Sequence, residues 1–204
     1  IGLNLYDSRT HVTKYDNAAG LLSNYYEGYE VGEIWGYVTD GFYSMDDFVD
    51  SNTWKLKEGV TSIKSYNVRP GDVKYEDLNK DGIIDDNDRQ FCGSPFPKFF
   101  GSIINEFKYK GFDLSFGLQF SFGSKLYAYW KSSNKVANLG GYNSQILESE
   151  WENRWTDGNH SNSTPRAVAS GYSYKNNTLE STRYLENNDF LRIRNLTIGY
   201  SLSG

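Results

Sequence analysis

Asp77, Asn79, Asp81, Asp85 and Asp88 fall at positions 1, 3, 5, 9 and 12 of one twelve-residue stretch, Asp77-Leu78-Asn79-Lys80-Asp81-Gly82-Ile83-Ile84-Asp85-Asp86-Asn87-Asp88. From those positions a calcium-binding loop draws its side-chain oxygens, and the backbone carbonyl of Ile83 would supply position 7. Gly82 occupies position 6, where such a loop turns sharply around the ion. At position 12 Asp stands in place of the usual bidentate Glu and is one methylene shorter, which predicts weaker binding or a tighter loop. Ile84, at position 8, is the apolar residue expected to hold the loop against its support. The expected role is structural: without an ion Asp77, Asp81, Asp85 and Asp88 repel one another, and a divalent cation turns that repulsion into a fixed loop. The competing reading is an acidic solvated turn, because Asp, Asn and Gly populate turns in any case.

Other groups with chemical potential are sparse, and no catalytic residue is predicted. His11 and His160 are the two histidines, and His160 lies in the polar run Asp157-Gly158-Asn159-His160-Ser161-Asn162. Glu148, Glu150 and Glu152 suggest a glycosidase pair only superficially, since helical residues two apart point to different faces. Trp151 and Trp155, four apart, would share one face of a helix predicted over Ser144–Arg154 and anchor it. Cys92 is alone, so no internal disulfide can form. The net charge of −5 comes without a Lys/Arg-rich stripe, which argues against nucleic acid as a partner.

The elements that position these groups read as β-structure. Aromatics make up 17% of the chain and glycine is frequent, a balance that favours strands and turns over helices. No stretch approaches the ~18 consecutive apolar residues of a membrane helix. From Phe112 to Phe122, however, Phe112, Leu114, Phe116, Leu118, Phe120 and Phe122 alternate without a break with Asp113, Ser115, Gly117, Gln119 and Ser121. That period of two, over the ~9–11 residues that a membrane-spanning strand requires, predicts a barrel strand with the Phe/Leu row toward lipid. Phe99–Tyr109 reads as a second strand, interrupted by Asn105, and Lys110-Gly111 between the two is of hairpin length. Asn195–Leu202 reads as a third, and Ile1–Leu5 as part of a fourth. Strict alternation counted back from Leu196 puts Arg192 and Arg194 on the apolar face, with their stems over apolar surface and their charges at a membrane boundary. Ile34–Thr39 reads as a further short strand ending at Asp40-Gly41. The connections are lopsided: one of two residues against long ones at about 14–98 and 124–189, a pattern of outer-membrane barrels.

Several segments together resemble the SusC/RagA-like family of TonB-linked outer-membrane transporters. They are Ile34-Trp35-Gly36-Tyr37-Val38-Thr39-Asp40-Gly41-Phe42, Pro70-Gly71-Asp72-Val73-Lys74-Tyr75, the aspartate loop, Gly93-Ser94-Pro95-Phe96-Pro97-Lys98-Phe99, Tyr109-Lys110-Gly111-Phe112-Asp113-Leu114-Ser115, Arg183-Tyr184-Leu185-Glu186, and Phe190 through Tyr200. Residues 131–182 match weakly. The resemblance implies an all-β fold: a partial transmembrane antiparallel barrel, cut from a 22-strand TonB-dependent transporter, with the long connections extracellular. The plug domain, the TonB box and the terminal strands of that family have no counterpart here, and the start at Ile1 carries no signal core, so the chain is expected to be one portion, 1–204, of a single barrel domain. It further implies import of a large nutrient, an oligosaccharide or peptide, across the outer membrane of a Gram-negative bacterium. TonB, a SusD-like lipoprotein lid and outer-membrane lipid are the implied partners. The rival reading from another class is a secreted calcium-dependent carbohydrate-binding module.

Overall fold

Alternation makes a strand present one side to an apolar neighbour and the other to a polar one. Phe112–Phe122 alternates without a break over eleven residues, and two further eleven-residue strands, Phe99–Tyr109 and Phe190–Tyr200, do so less regularly. The structure is a computed structural model that describes residues 1–16, 18, 26–63, 66–133, 146–160, 163–168 and 172–202. Its strands are β1 (Gly2–Tyr6), β2 (Ile34–Tyr37), β3 (Thr39–Phe42), β4 (Val73–Tyr75), β5 (Arg89–Gly93), β6 (Phe99–Tyr109), β7 (Phe112–Phe122), β8 (Lys125–Tyr127), β9 (Leu185–Asn187) and β10 (Phe190–Tyr200). The short helices are α1 (Tyr129–Ser133), α2 (Glu148–Glu152) and α3 (Tyr172–Asn177). None is long and apolar enough to cross a membrane.

β1, β6, β7 and β10 form one antiparallel sheet in the order β1-β6-β7-β10. β6 and β7 are joined by the predicted turn at Lys110-Gly111, where both residues have positive φ (45° and 84°). That pair of left-handed residues makes a tight two-residue hairpin turn whose twist matches the strands. A Cβ at Gly111 would also sit 2.8 Å from the Ser201 carbonyl oxygen, so the close approach of the end of β10 requires glycine there.

Register settles the faces, because residues directly opposite each other share a side. Phe112 pairs with Tyr109 and Tyr200, Leu114 with Phe107 and Ile198, and Leu118 with Ile103 and Ile193. The whole Phe/Leu row of β7 therefore lies on one apolar face. At the sheet's centre Asn105, opposite Phe116, also falls on that face. Asp113, Ser115, Gln119 and Ser121 lie on the other face with Lys108, Glu106, Ser102 and Phe100.

β10 begins at Phe190 instead of Asn195, and its first half corrects the expectation for the arginines. Ile193 pairs with Leu118 and Asn195 with Gly117, which leaves Arg194 as an extra residue, a β-bulge. The bulge absorbs one position and resets the alternation. Leu191 and Ile193 join the apolar face, while Arg192 pairs with Gln119 on the polar face and Arg194 Nη1 donates to Gln119 Oε1 at 3.2 Å. Neither arginine is on the apolar side.

The two long connections fold into smaller pieces. Ile34–Thr39 does not run as one strand. It breaks at Val38, because β2 pairs with β5 while β3 pairs with β4. Tyr37, Val73, Tyr75 and Ile84 form one buried cluster, and Tyr43, Phe48 and Val68 a second. The second connection is pinched at its base by the β8–β9 pair, directly beyond the ends of β7 and β10. The predicted helix over Ser144–Arg154 is shorter, running Glu148–Glu152, and Ser144 lies outside the described residues. Trp155 is past its end, so Trp151 and Trp155 do not share a helical face: Trp151 is exposed beneath the Arg154 guanidinium, whereas Trp155 is buried against Gly71.

Candidate functional site

Among the described residues, nothing covers the Phe/Leu side of the four-stranded sheet. Leu3, Leu5, Phe107, Phe112, Leu196 and Ile198 are all exposed, Ile198 to 72%. Contiguous apolar surface of this extent marks contact with a partner or with lipid. Aromatic rings gather at both ends of the same face. Phe99, Phe120 and Phe122 have centroids 5.4–6.3 Å apart at the end of the long connections. Phe112 and Tyr200 lie 4.5 Å apart at the tight-turn end. Two aromatic girdles bounding an aliphatic and Phe band are the outward surface of a membrane barrel.

The aspartate loop is positioned by Ile84, which is 1% exposed in the cluster with Tyr37, Val73 and Tyr75, as its position in the motif predicted. Lys80 (φ 61°) and Gly82 (φ 88°) both take the left-handed conformation that lets the loop curl. Asp77 accepts from the Lys80 and Gly82 N–H groups at 2.6 and 2.8 Å. Asp81 accepts from the Ile83 N–H and the Asn79 amide, both at 2.9 Å, and Asp85 from the Asn87 N–H at 2.8 Å. Asp88 is fully buried. Its Oδ1 accepts from the Leu78 and Asn79 N–H groups and its Oδ2 from the Asp85 N–H. Thus Asp77, Asn79 and Asp81 meet in one turn, and Asp85 and Asp88 cap the next. Both oxygens of Asp88 are occupied by backbone donors that tie the loop end to end. Among the described residues, no three His, Cys, Asp or Glu side chains are gathered closely enough to hold a metal ion.

A polar centre outside the predicted site joins the two long connections. Asp72 is fully buried, and Arg166 grips it with Nε–Oδ1 at 2.8 Å and Nη2–Oδ2 at 3.1 Å. Asn177 donates to Asp72 Oδ1 at 2.8 Å and accepts from the Val73 N–H at 2.8 Å. Asn176 Nδ2 donates to the Val73 carbonyl at 2.8 Å, and the Arg69 N–H reaches Asp72 Oδ2 at 2.7 Å. A buried carboxylate is tolerated only when paired and fully hydrogen-bonded, and these partners satisfy it. Burial pushes the Asp72 carboxyl above the usual range, while Arg166, Asn177 and the Arg69 N–H pull against that push. Asp72 belongs to the segment Pro70-Gly71-Asp72-Val73-Lys74-Tyr75, but its side-chain partners Arg166 and Asn177 lie 94 and 105 residues away.

His160 stacks flat on Trp155 at 5.3 Å, and the backbone of His11, an exposed residue, pairs with that of Glu30 in an isolated antiparallel β-bridge. Glu148 and Glu152 are exposed on α2.

No protein-family model matches the chain. Its curated relatives are similar over most of its length. TonB-dependent receptor P3 of Formosa agariphila is 27% identical over 176 residues, 86% of the chain and 16% of the receptor. TonB-dependent receptor P26 of the same organism is 30% identical over 152 residues, 74% of the chain and 14% of the receptor. TonB-dependent receptor SusC of Bacteroides thetaiotaomicron is 25% identical over 166 residues, 81% of the chain and 14% of the receptor. The chain therefore spans only about a seventh of the length of these relatives. A two-faced antiparallel wall with aromatic girdles, and agreement with several such receptors over most of the chain, lead to one conclusion: the chain belongs to the SusC-like family of TonB-dependent receptors, as an all-β stretch of a barrel in the outer membrane of a Gram-negative bacterium.

Proposed function

We propose that the intact protein imports an oligosaccharide across the outer membrane, taking its cargo from a SusD-like surface lipoprotein and drawing energy through TonB. The observation that carries this reading is the wall itself: one continuous apolar face, one polar face, and long folded connections at one end only. A secreted carbohydrate-binding module would have to bury the Phe/Leu face, and among the described residues nothing covers it. Cells carrying the intact receptor should grow on a glycan as sole carbon source in a TonB-dependent manner and lose that growth when the receptor is deleted. Growth on peptides affected in its place would make the cargo a peptide. A purified receptor that stays soluble without detergent would remove the membrane reading altogether.

In this reading the Lys110-Gly111 turn is periplasmic and the connections at 14–98 and 124–189 are extracellular, because short turns and long loops segregate to opposite sides of an outer-membrane barrel. In a Cys92→Ser background, His160→Cys in intact cells should react with a membrane-impermeant thiol reagent and Lys110→Cys should not. The reverse labelling pattern would invert the topology.

A structural calcium ion at Asp77, Asn79, Asp81, the Ile83 carbonyl, Asp85 and Asp88 is part of the same proposal. It requires the side-chain oxygens of Asp77, Asp81, Asp85 and Asp88 to share their present loop hydrogen bonds with the ion. Such an ion should raise the melting temperature of the intact receptor in calcium relative to chelator, and Asp81→Ala should abolish that difference. Equal melting temperatures in both conditions would leave the loop an acidic turn held by its own hydrogen bonds.

A further inference from the structure

Resting on the import reading above, we propose that the polar face of the wall carries a binding strip for an acidic oligosaccharide. Tyr6, Phe100 and Phe190 supply ring platforms, and Gln119, Arg192 and Arg194 supply the polar groups beside them. Register puts the three rings on one rung: Tyr6 is opposite Phe100, and Phe100 and Phe190 are both opposite Ser121. They lie on the face of Ser102, Gln119 and Ser121, away from the aromatic girdles, so contact with lipid does not account for them. Tyr6 and Phe100 stack at 5.5 Å with 22° between planes and stay 56% and 38% exposed. Aromatic surface on a water-lined wall is costly unless a ligand with an apolar face covers it, and the C–H faces of sugar rings are such surfaces.

The next rung toward the tight turn holds Asn4, Ser102, Gln119 and Arg192, about 7 Å away at two residues of strand rise. Amides, hydroxyls and guanidinium beside an aromatic ledge match the hydroxyl edge of a sugar lying on that ledge. From β1 to β10 the strip crosses three strand spacings, about 14 Å, which suits an oligosaccharide better than a single sugar.

The preference for acid groups comes from the bulge. It turns Arg194 to the polar side beside Arg192, so two cations flank Gln119. The Arg192 guanidinium rests over the Phe190 ring at 4.1 Å and Arg194 bonds the neutral Gln119 amide. Among the described residues neither arginine forms an ion pair. On the same face Glu106, opposite Ser115, sits about 13 Å down the strand from Gln119 and Asp113 about 20 Å, the latter engaged by Lys108 at 3.5 Å. Two uncompensated planar guanidinia match a carboxylate or sulfate group in bidentate geometry.

The test uses the full-length receptor in detergent against an array of neutral, uronate-bearing and sulfated oligosaccharides. Wild type should retain acidic members, and the double variant Arg192→Gln, Arg194→Gln should lose affinity for them by about tenfold or more with neutral members unchanged, as expected for loss of hydrogen bonds between charged groups. Phe100→Leu keeps apolar volume without the ring face and should weaken acidic and neutral glycans alike. If the double variant does not fold, Arg192→Lys with Arg194→Lys, which keeps charge but not the planar fork, should still weaken acidic members selectively. Unchanged affinities, capture of neutral glycans alone or of none, or binding of acidic peptides in their place would overturn the inference. Failure of the import reading is a separate result: wild-type receptor missing from the outer-membrane fraction, whatever it binds on the array.

Discussion

Arg166→Met in the intact receptor should destabilise the joint between the two long connections by about 3–5 kcal/mol, the usual effect of removing one partner from a buried ion pair. Asp72 would be left fully buried with only Asn177 and the Arg69 N–H as partners. Amide exchange at Val73, whose N–H is bonded to Asn177, should accelerate accordingly. The defect should also depend on pH, with a sign that identifies its cause. Burial raises the Asp72 carboxyl above its ordinary value, and loss of the guanidinium removes the main opposing pull. The folded variant then holds a proton that the unfolded chain has released. Its stability is greatest below the ordinary aspartate value and is lost as pH rises through the raised folded value. The defect should therefore be smaller in mild acid than at neutral pH. A loss under about 1 kcal/mol, as for an exposed pair, or one independent of pH, would show that the Asp72 carboxylate is not the centre of the joint.

Phe116→Arg should destabilise the barrel by about 2–4 kcal/mol, the effect of a cation near the midplane of a lipid-facing strand. Phe116 is in the middle of β7, opposite Asn105 and Leu196, with its ring 6.2 Å from Phe107 on the apolar face. Ser115→Arg is the control, since Ser115 is one residue away and faces the polar side. In denaturant titrations of the lipid-reconstituted receptor only Phe116→Arg should shift the midpoint substantially. Equal shifts for the two variants would mean that the apolar face does not meet lipid.

Local pattern alone determined the parts of this protein that depend on neighbours in sequence. The period-two row from Phe112 to Phe122 specified a strand, its length and which side chains share a face. Lys110-Gly111 specified a hairpin, and the apolar residue inside the aspartate loop specified which side of that loop is buried. Each follows from backbone geometry over a few residues, with no distant partner required. Tertiary structure decided what depends on partners far along the chain. One extra residue at Arg194 is absorbed by pairing with β7, and that turns two arginines from the apolar to the polar face; no alternation count within β10 can contain that choice. Asp72 reads as an ordinary turn aspartate until Arg166 and Asn177 arrive from about a hundred residues away. Asp88 has the spacing of a cation ligand, yet the folded loop buries it against its own N–H groups. A carboxylate's role is set by which donors reach it, and donors brought from a distance leave no mark on the residues beside it.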